Sequence, residues 1–294
     1  MDIQRYLLES RRAVDECLDR LLPGTAEEPP TIHKAMRHSV FAGGKRIRPI
    51  LVLAAGESLG GRTETLLHLG AAIEMIHTYS LIHDDLPALD NDDLRRGVPT
   101  CHKVFGEALA ILAGDALMTR CYQALVELPG VSDTMRIGII REIARATGTQ
   151  RGMIAGQVVD LESEGKPVSA EVLEYIHHSK TGALLTACVR CGALAAGANE
   201  AQLRTLTSFG CKIGLAFQIV DDILDITASS EKLGKTAGKD EKVKKATYPA
   251  LFGIDSSRQK ACALVTSSLE DINALGEAAT PLRLIAQFIL SRTA

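Results

Sequence analysis

Apolar residues recur at steps of three and four along most of this chain, which is the repeat of helices with one buried face. The repeat predicts helices near 3–21, 32–41, 49–59, 64–84, 105–127, 132–162, 169–178, 181–197, 203–224, 255–275 and 281–291. Ser169 and Thr280 precede two of them and are predicted N-caps. The pattern therefore predicts an all-α fold.

Composition adds limits to this picture. The chain has 294 residues, of which 46% are hydrophobic, and no low-complexity linker divides it. We predict a single domain over residues 1–294, a helical bundle with a large core. The net charge of −3 argues against a nucleic-acid surface. No apolar run of about 18 residues stands out, so no membrane span is expected, and the N-terminus lacks the apolar core of a secretory signal.

The cysteines bear on the compartment and on zinc. There are seven, odd in number and scattered, which predicts reduced thiols in the cytoplasm. Cys188 and Cys191 form a lone C-x-x-C without two further ligands at zinc spacing. We interpret this pair as buried helix thiols.

Two aspartate clusters close the two longest apolar repeats. They comprise Asp84, Asp85 and Asp90 in the first and Asp221, Asp222 and Asp225 in the second. Asp221 and Asp225 would lie about 5–6 Å apart on one helix face, where like charges repel unless a cation lies between them. One such cluster is typical of a solvated helix end. Two together favour Mg²⁺, which leaves coordination positions for phosphates, and so predict an enzyme that acts on a diphosphate.

Basic residues occur where they could bind such a diphosphate. Lys45, Arg46 and Arg48 follow the pair Gly43-Gly44, and Arg95 and Arg96 follow the first aspartate cluster. Arginine binds phosphate oxygens through two donors at once, whereas lysine acts as a point charge. A solvated basic patch is the alternative for each group, and it is weakened for Arg95 and Arg96 by the acids just before them.

Ordered motifs extend over nearly the whole chain. They are GGKRIRP (43–49), IHTYSLIHDDLPALDNDDLRRGVPTCH (76–102), GDAL (114–117), GQVVDL (156–161), KTGAL (180–184), FQIVDDILDI (217–226), LGKTAGKD (233–240) and KATYPAL (245–251). With these motifs the chain resembles the trans-isoprenyl diphosphate synthases, most closely the bacterial farnesyl diphosphate synthases. The resemblance implies an isoprenoid synthase-type bundle in which two aspartate-rich helices face a central cavity.

The resemblance also implies a reaction. Isopentenyl diphosphate would condense head to tail with dimethylallyl and then geranyl diphosphate, after metal-assisted ionisation of the allylic diphosphate. Farnesyl diphosphate would be the product, with geranyl or geranylgeranyl diphosphate as alternatives. The implied cofactor is Mg²⁺, about three ions with bound substrate and Mn²⁺ as an alternative ion. A homodimer is implied as well.

Roles carry over from the family by position. The metal ligands would be Asp84, Asp90 and Asp221, supported by Asp85, Asp222 and Asp225. Isopentenyl diphosphate would be bound by Lys45, Arg48, His77 and Arg96. The allylic diphosphate would meet Arg95, Lys180 and Lys235, with Thr181 and Gln218 beside the reacting carbon and Lys245 nearby. Without the family, His77 would be interpreted as a core residue, and Gln157 and Asp160 suit a buried polar network as well as direct catalysis.

Product length can be argued from the positions before the first aspartates. Tyr79 lies five residues before Asp84, about 7.5 Å along the helix, so its ring would close the cavity early and favour farnesyl diphosphate. Ser80 beside it is small, which leaves some room for a longer product. Tyr79 as an ordinary core residue is the alternative.

Three other functions compete with this interpretation. A terpene cyclase would need a different second metal motif and more aromatic residues, and a non-catalytic partner subunit should have lost aspartates or basic groups. A head-to-head synthase usually has a nicotinamide site, and no dinucleotide fingerprint is present. The chain ends with one cation, Arg292, so closure of the site by a basic tail is not expected.

Overall fold

The computed structural model describes residues 1–227 and 247–291. The helices are α1 (Ile3–Leu21), α2 (Pro30–Val40), α3 (Ile47–Glu57), α4 (Thr63–Asp84), α5 (Cys101–Phe105), α6 (Glu107–Val126), α7 (Asp133–Thr147), α8 (Met153–Ser163), α9 (Ala170–Ile176), α10 (Ala183–Ala195), α11 (Glu200–Thr227), α12 (Tyr248–Phe252), α13 (Ile254–Asp271) and α14 (Thr280–Ser291). A π-helical turn (His177–Gly182) joins α9 to α10, and a 3₁₀ segment (Ile272–Ala279) joins α13 to α14. Strands β1 (Leu94–Arg95) and β2 (Val98–Pro99) form a short antiparallel hairpin.

Helices α3 and α4 form the centre of the bundle. Both are apolar around most of their circumference, and α4 buries residues on successive turns from Leu66 to Ile82. A helix that is apolar all round must be covered on all sides. Accordingly α4 packs against α3 and α6, α10 packs against α3 and α11, and α11 packs against α13. The predicted all-α bundle is confirmed.

The predicted helix over 132–162 is wrong, because it is two helices. Helix α7 ends at Thr147 and α8 begins at Met153. Between them Arg151 has φ +57°, a conformation that no α-helix contains. A Cβ on Gly152 would lie 2.5 Å from the Arg145 carbonyl oxygen, so the glycine permits this tight reversal.

The two predicted N-caps differ in outcome. Ser169 caps α9 as predicted, since its hydroxyl accepts a hydrogen bond from the Val172 backbone N–H. Thr280 does not cap α14: its own backbone is helical, and its hydroxyl donates to the Glu277 carbonyl oxygen at 2.6 Å. The preceding 3₁₀ segment runs directly into the helix, so no N-cap is needed there.

Helix α6 departs from the expectation that no stretch is suited to a membrane. Within the described ranges it is the helix that is long and apolar enough to cross one by length and composition, with 39% of its most apolar window buried. Core helices of soluble proteins pass the same test, and α6 packs along α4 and α2.

All seven cysteines are free thiols. Cys188 and Cys191 are fully buried in α10, which confirms their interpretation as helix thiols. Burial raises the pKa of the Cys188 thiol to about 12.

Candidate active site

A cavity of about 660 Å³ opens where α4, α6, α8, the π-helical turn and α11 approach one another. Carboxylates from both predicted aspartate clusters line it, namely Asp84, Asp90 and Asp222. Other predicted site residues in its wall are Arg48, His77, Tyr79, Ser80, Arg95, Lys180, Thr181 and Gln218. The fold thus brings together groups that are up to 174 positions apart in the sequence, from Arg48 to Asp222.

The first aspartate cluster lies on a closed loop at the end of α4. Asp84 is the last residue of the helix, which stops before Pro87 as predicted. The Asp90 backbone N–H donates to the Asp84 carbonyl oxygen at 2.8 Å, and the Asp92 N–H donates to that of Asp85 at 3.1 Å. These bonds fold the loop back, so that Asp84 and Asp90 lie in the same wall.

Charge in this wall favours a cation. Burial, with a smaller contribution from Asp90, raises the pKa of Asp84 to about 6, and Lys180 opposes the shift. Asp85 accepts from the Arg95 guanidinium, at 2.9 Å from Nε, so its charge is already balanced. A divalent cation beside Asp84 and Asp90 would relieve their repulsion, and oxygen donors are the ligands that Mg²⁺ prefers.

The carboxylates do not form a complete metal site on their own. Over residues 1–227 and 247–291, no group of three or more His, Cys, Asp or Glu side chains is placed to hold a metal ion. Mg²⁺ characteristically takes one or two carboxylates and completes its shell with water and substrate phosphate. The carboxylates around this cavity fit that mode of binding.

In the second cluster, Asp222 and not Asp221 lines the cavity. Its carboxylate accepts from His177 Nε2 at 2.9 Å, from the Tyr248 backbone N–H at 3.0 Å and from Gln218 Nε2 at 3.1 Å. These bonds suit the supporting role predicted for Asp222. Asp221 and Asp225 are not among the described residues that line the cavity, and their roles at a metal stay predictions.

The π-helical turn carries Lys180 and Thr181 into the wall opposite the first cluster. It fits tightly between two helices, because a Cβ on Gly156 of α8 would lie 2.2 Å from the Lys180 nitrogen and one on Gly214 of α11 would lie 2.9 Å from the Gly182 Cα. The Lys180 ammonium lies 2.7 Å from Asp160 Oδ2. Asp160 therefore belongs to a polar network at the site, which is one of the two roles, network or direct catalysis, considered for it from the sequence.

A group of cations lies at the end of the cavity nearest α3. Arg48 Nη1 donates to His77 Nε2 at 3.0 Å, so the imidazole accepts there and is neutral. Burial and the nearby guanidiniums of Arg48 and Arg96 lower the pKa of His77 well below its usual value. Arg96 lies nearby but does not line the cavity, because its guanidinium donates to the Gly43 carbonyl oxygen and is tied to the loop before α3. Lys45 on that loop is exposed and does not line the cavity.

Another part of the cavity is lined by the apolar side chains of Leu81 and Met118 together with the ring of Tyr79, beside His83. Tyr79 is buried there, with its ring edge-on to His83 at 5.7 Å. His83 covers Gly114, where a Cβ would lie 2.2 Å from the imidazole, and Met118 of α6 lines the same region. Ser80 donates to the His77 carbonyl oxygen, so its hydroxyl is turned back onto its own helix.

A cavity with carboxylates, cations and an apolar part is what the resemblance predicts, and comparison with known sequences agrees. Residues 29–279 match the polyprenyl synthetase family. The chain belongs to this family. A farnesyl diphosphate synthase of Geobacillus stearothermophilus is 49% identical over 262 residues, which are 88% of each chain. Geranylgeranyl pyrophosphate synthase 7 of Arabidopsis thaliana is 46% identical over 99% of this chain and 84% of its own length.

Solved structures share the fold of this polyprenyl synthetase. An FPP/GFPP synthase from Zymomonas mobilis superposes with a TM-score of 0.89 at 36% identity and 98% coverage of both chains. A geranyltransferase from Helicobacter pylori, complexed with magnesium and isoprenyl diphosphate, gives a TM-score of 0.84 at 33% identity, covering 97% of this chain and 96% of that one. The prediction of a prenyltransferase is confirmed, while the relatives divide between farnesyl and geranylgeranyl products.

Some cavity residues of the synthetase were not singled out from the sequence. Asp115 and Met118 of α6, Met153 and Ile154 of α8, and His177 all line the cavity. The GDAL and GQVVDL motifs mark two of these helices, but a motif does not reveal which neighbours face the cavity. Lys235 and Lys245, two predicted site residues, lie outside the described residues.

Proposed function

We propose that this synthetase condenses isopentenyl diphosphate head to tail with dimethylallyl and geranyl diphosphate and releases farnesyl diphosphate. The observation that carries the proposal is the polarity of this cavity. Asp84 and Asp90 lie on one wall, Lys180, Thr181 and Gln218 lie on another, and the buried Tyr79 lies in the apolar part. Such a cavity suits an amphiphile with a diphosphate head and a hydrocarbon tail.

The residues of the polar end can each be given a task. Mg²⁺ bound at the aspartates would neutralise charge as it develops on the departing pyrophosphate. Lys180 and Arg95 add fixed positive charge there, each held by an acid, Asp160 and Asp85 respectively. The Thr181 hydroxyl and the Gln218 carbonyl present oxygen dipoles to the allylic cation. The departing pyrophosphate would take the proton that is lost.

Isopentenyl diphosphate would bind at the cationic end. Arg48 supplies charge in the wall, while neutral His77 holds it by accepting its hydrogen bond. Arg96 would add its charge by turning from the Gly43 carbonyl oxygen toward the diphosphate. Arginine suits this task because its guanidinium binds two phosphate oxygens at once. The alkene would then reach toward the allylic carbon between Thr181 and Gln218.

Tyr79 favours farnesyl diphosphate, because its ring, edge-on to His83, would close the cavity to a longer chain. Geranylgeranyl diphosphate is the second candidate, since relatives at 46–47% identity carry that name. Geranyl diphosphate is a third outcome that the same assay detects.

We also propose that the protein is a cytoplasmic homodimer. The seven free cysteines support a reducing compartment. Exposed apolar residues on α6, including Ile111 and Leu112, support association. Cell fractionation that recovers the protein outside the cytoplasm would contradict the first point.

One assay tests the reaction. The purified chain is incubated with Mg²⁺, isopentenyl diphosphate and either dimethylallyl or geranyl diphosphate, and the alcohols released by phosphatase are identified. Farnesol is the expected main product, and geranylgeraniol would keep the reaction but exclude the product assignment. No condensation would favour a cyclase or a non-catalytic subunit. Asp84→Ala should abolish turnover and leave the helical circular dichroism signal intact.

A further inference from the structure

His177 lies in the cavity wall with no role assigned to it so far. Its side chain is 5% exposed and that of Asp222 is 6% exposed. His177 Nε2 lies 2.9 Å from Asp222 Oδ2. A carboxylate can only accept a hydrogen bond, so Nε2 must be the donor. This fixes the imidazole with a proton on Nε2.

The same contact fixes the carboxylate. Asp222 Oδ2 accepts from His177 and also from the Tyr248 backbone N–H at 3.0 Å. The His177 ring stacks on the Tyr248 ring, with centroids 5.4 Å apart, and the Tyr248 hydroxyl donates to Glu174 at 2.8 Å. With Oδ2 held from two directions, the Asp222 carboxylate cannot rotate, and Oδ1 is turned toward Gln218.

Gln218 is oriented in turn. Its Nε2 donates to Asp222 Oδ1 at 3.1 Å. The reversed amide would set two acceptor oxygens against each other, which is unfavourable in a buried site. The side-chain oxygen of Gln218 therefore points away from Asp222, and Gln218 lines the cavity.

We propose that His177 is a positioning residue which, by holding Asp222, keeps the Gln218 carbonyl oxygen aimed at the allylic cation. The inference rests on the proposed condensation and deepens it. A fixed dipole stabilises developing charge without reorganising at the moment of reaction. A mobile amide would spend part of its time presenting its NH₂ group, which repels a cation.

The test is a double-mutant cycle with steady-state kinetics. His177→Leu removes the donor, Gln218→Leu removes the dipole, and the double variant combines them. His177→Gln is the conservative variant, because its terminal amide can donate from near the position of Nε2. His178→Leu is the matched control, since His178 is the neighbouring exposed histidine. Thermal melting of every variant shows whether it is folded.

His177→Leu is expected to lower kcat about tenfold or more, as misplaced catalytic groups do. KM for both substrates and the Mg²⁺ concentration for half-maximal rate should stay unchanged, because Gln218 acts on the cation and not on the diphosphates. His177→Gln should restore most of the rate, and His178→Leu should match the wild type. In the Gln218→Leu background, the His177 substitution should cost less than about twofold.

Multiplicative losses in the double variant would overturn the inference, because His177 would then act independently of Gln218. A raised Mg²⁺ requirement would overturn it as well, in favour of a role at the metal. If His177→Leu does not fold, His177→Asn takes its place in the cycle, since its shorter amide cannot reach Asp222. No turnover by the wild type would defeat the proposed function itself, whereas normal turnover with an inert His177 defeats this inference alone.

Discussion

Arg46 shows how a single charged residue can be committed to the fold while Arg48, two positions later, lines the cavity. Its side chain is 1% exposed, and it donates to Asp15 and Glu74 at 2.8 Å and to the Val40 carbonyl oxygen at 2.6 Å. Its backbone has φ +52° at the start of α3. The three bonds hold this strained turn, from which Arg48 reaches the cavity.

Removing that guanidinium should be costly. Arg46→Met leaves Glu74 buried without its partner, which typically costs about 3–5 kcal/mol of unfolding free energy. Arg46→Met with Glu74→Met should recover much of the loss, because both charges are then gone. Urea unfolding measures these differences. Arg12→Met is the control, since the Arg12–Glu16 pair is exposed and should change stability by less than about 1 kcal/mol. A double variant no more stable than Arg46→Met would contradict the argument.

A second ion pair predicts a dependence on pH. Arg190 donates to both oxygens of Glu142 and lowers the pKa of that carboxyl below its usual 4.5. A depressed pKa in the folded state adds stability above the unfolded value, which is lost as pH falls through the folded value. Glu142→Gln should therefore be less stable than the wild type at pH 7, and the gap should shrink below pH 4.5. Urea midpoints across that range check this, and a constant gap would rule it out.

At the scale of elements, the π-helical turn depends on its two neighbours. Because Gly156 has no side chain, α8 packs directly against the backbone of the π-helical turn. A Cβ on Gly156 would lie 2.2 Å from the backbone nitrogen of Lys180. Backbone cannot yield as a flexible side chain does, so an added methyl group must push the turn away from α8. Lys180 and Thr181 would move with it.

Gly156→Ala should therefore lower both stability and turnover. Overpacking of this kind costs about 1–3 kcal/mol, and a shift of about 1 Å at the site can cost a hundredfold in rate. Gly138→Ala is the matched control: it also lies inside a helix, but a Cβ there meets nothing within 4 Å. That variant should gain up to about 1 kcal/mol. Urea unfolding and kcat report both effects, and equal behaviour of the two alanine variants would disprove the tight contact.

Elements differ in how far the sequence could predict them. The repeats that define α4 and the start and course of α11 are long, so their existence and their terminal aspartates could be inferred locally. The break between α7 and α8 and the π-helical turn could not, because both depend on close approaches by distant backbone, at Arg145 for Gly152 and at Lys180 for Gly156. His177 was missed for a related reason: its partner Asp222 is 45 positions away.

For the whole molecule, α6 presents a face that the described chain leaves exposed. Ile111 and Leu112 are 45% and 54% exposed on it. If a second copy covers this face, the double variant Ile111→Glu with Leu112→Glu should be a monomer. A dimer of this variant would have to bury the two new carboxylates without partners. Sedimentation velocity gives the mass. Val126→Glu adds a charge at the other end of α6, and its effect on the mass shows whether the interface extends along the whole helix. A double variant that still sediments as a dimer would move the interface elsewhere.

The size of the product is also a property of the whole bundle, since side chains of both α4 and α6 line this part of the cavity. Tyr79 on α4 lies edge-on to His83, which in turn covers Gly114 of α6. Tyr79→Ala opens the space of a ring, so we expect geranylgeranyl diphosphate to replace farnesyl diphosphate as the main product. Tyr79→Phe keeps the ring and removes only the hydroxyl, so its product should match the wild type. Identification of the dephosphorylated alcohols decides this. Unchanged product from Tyr79→Ala would show that another residue limits the chain, and Met118, in the same cavity wall, would be the next position to change.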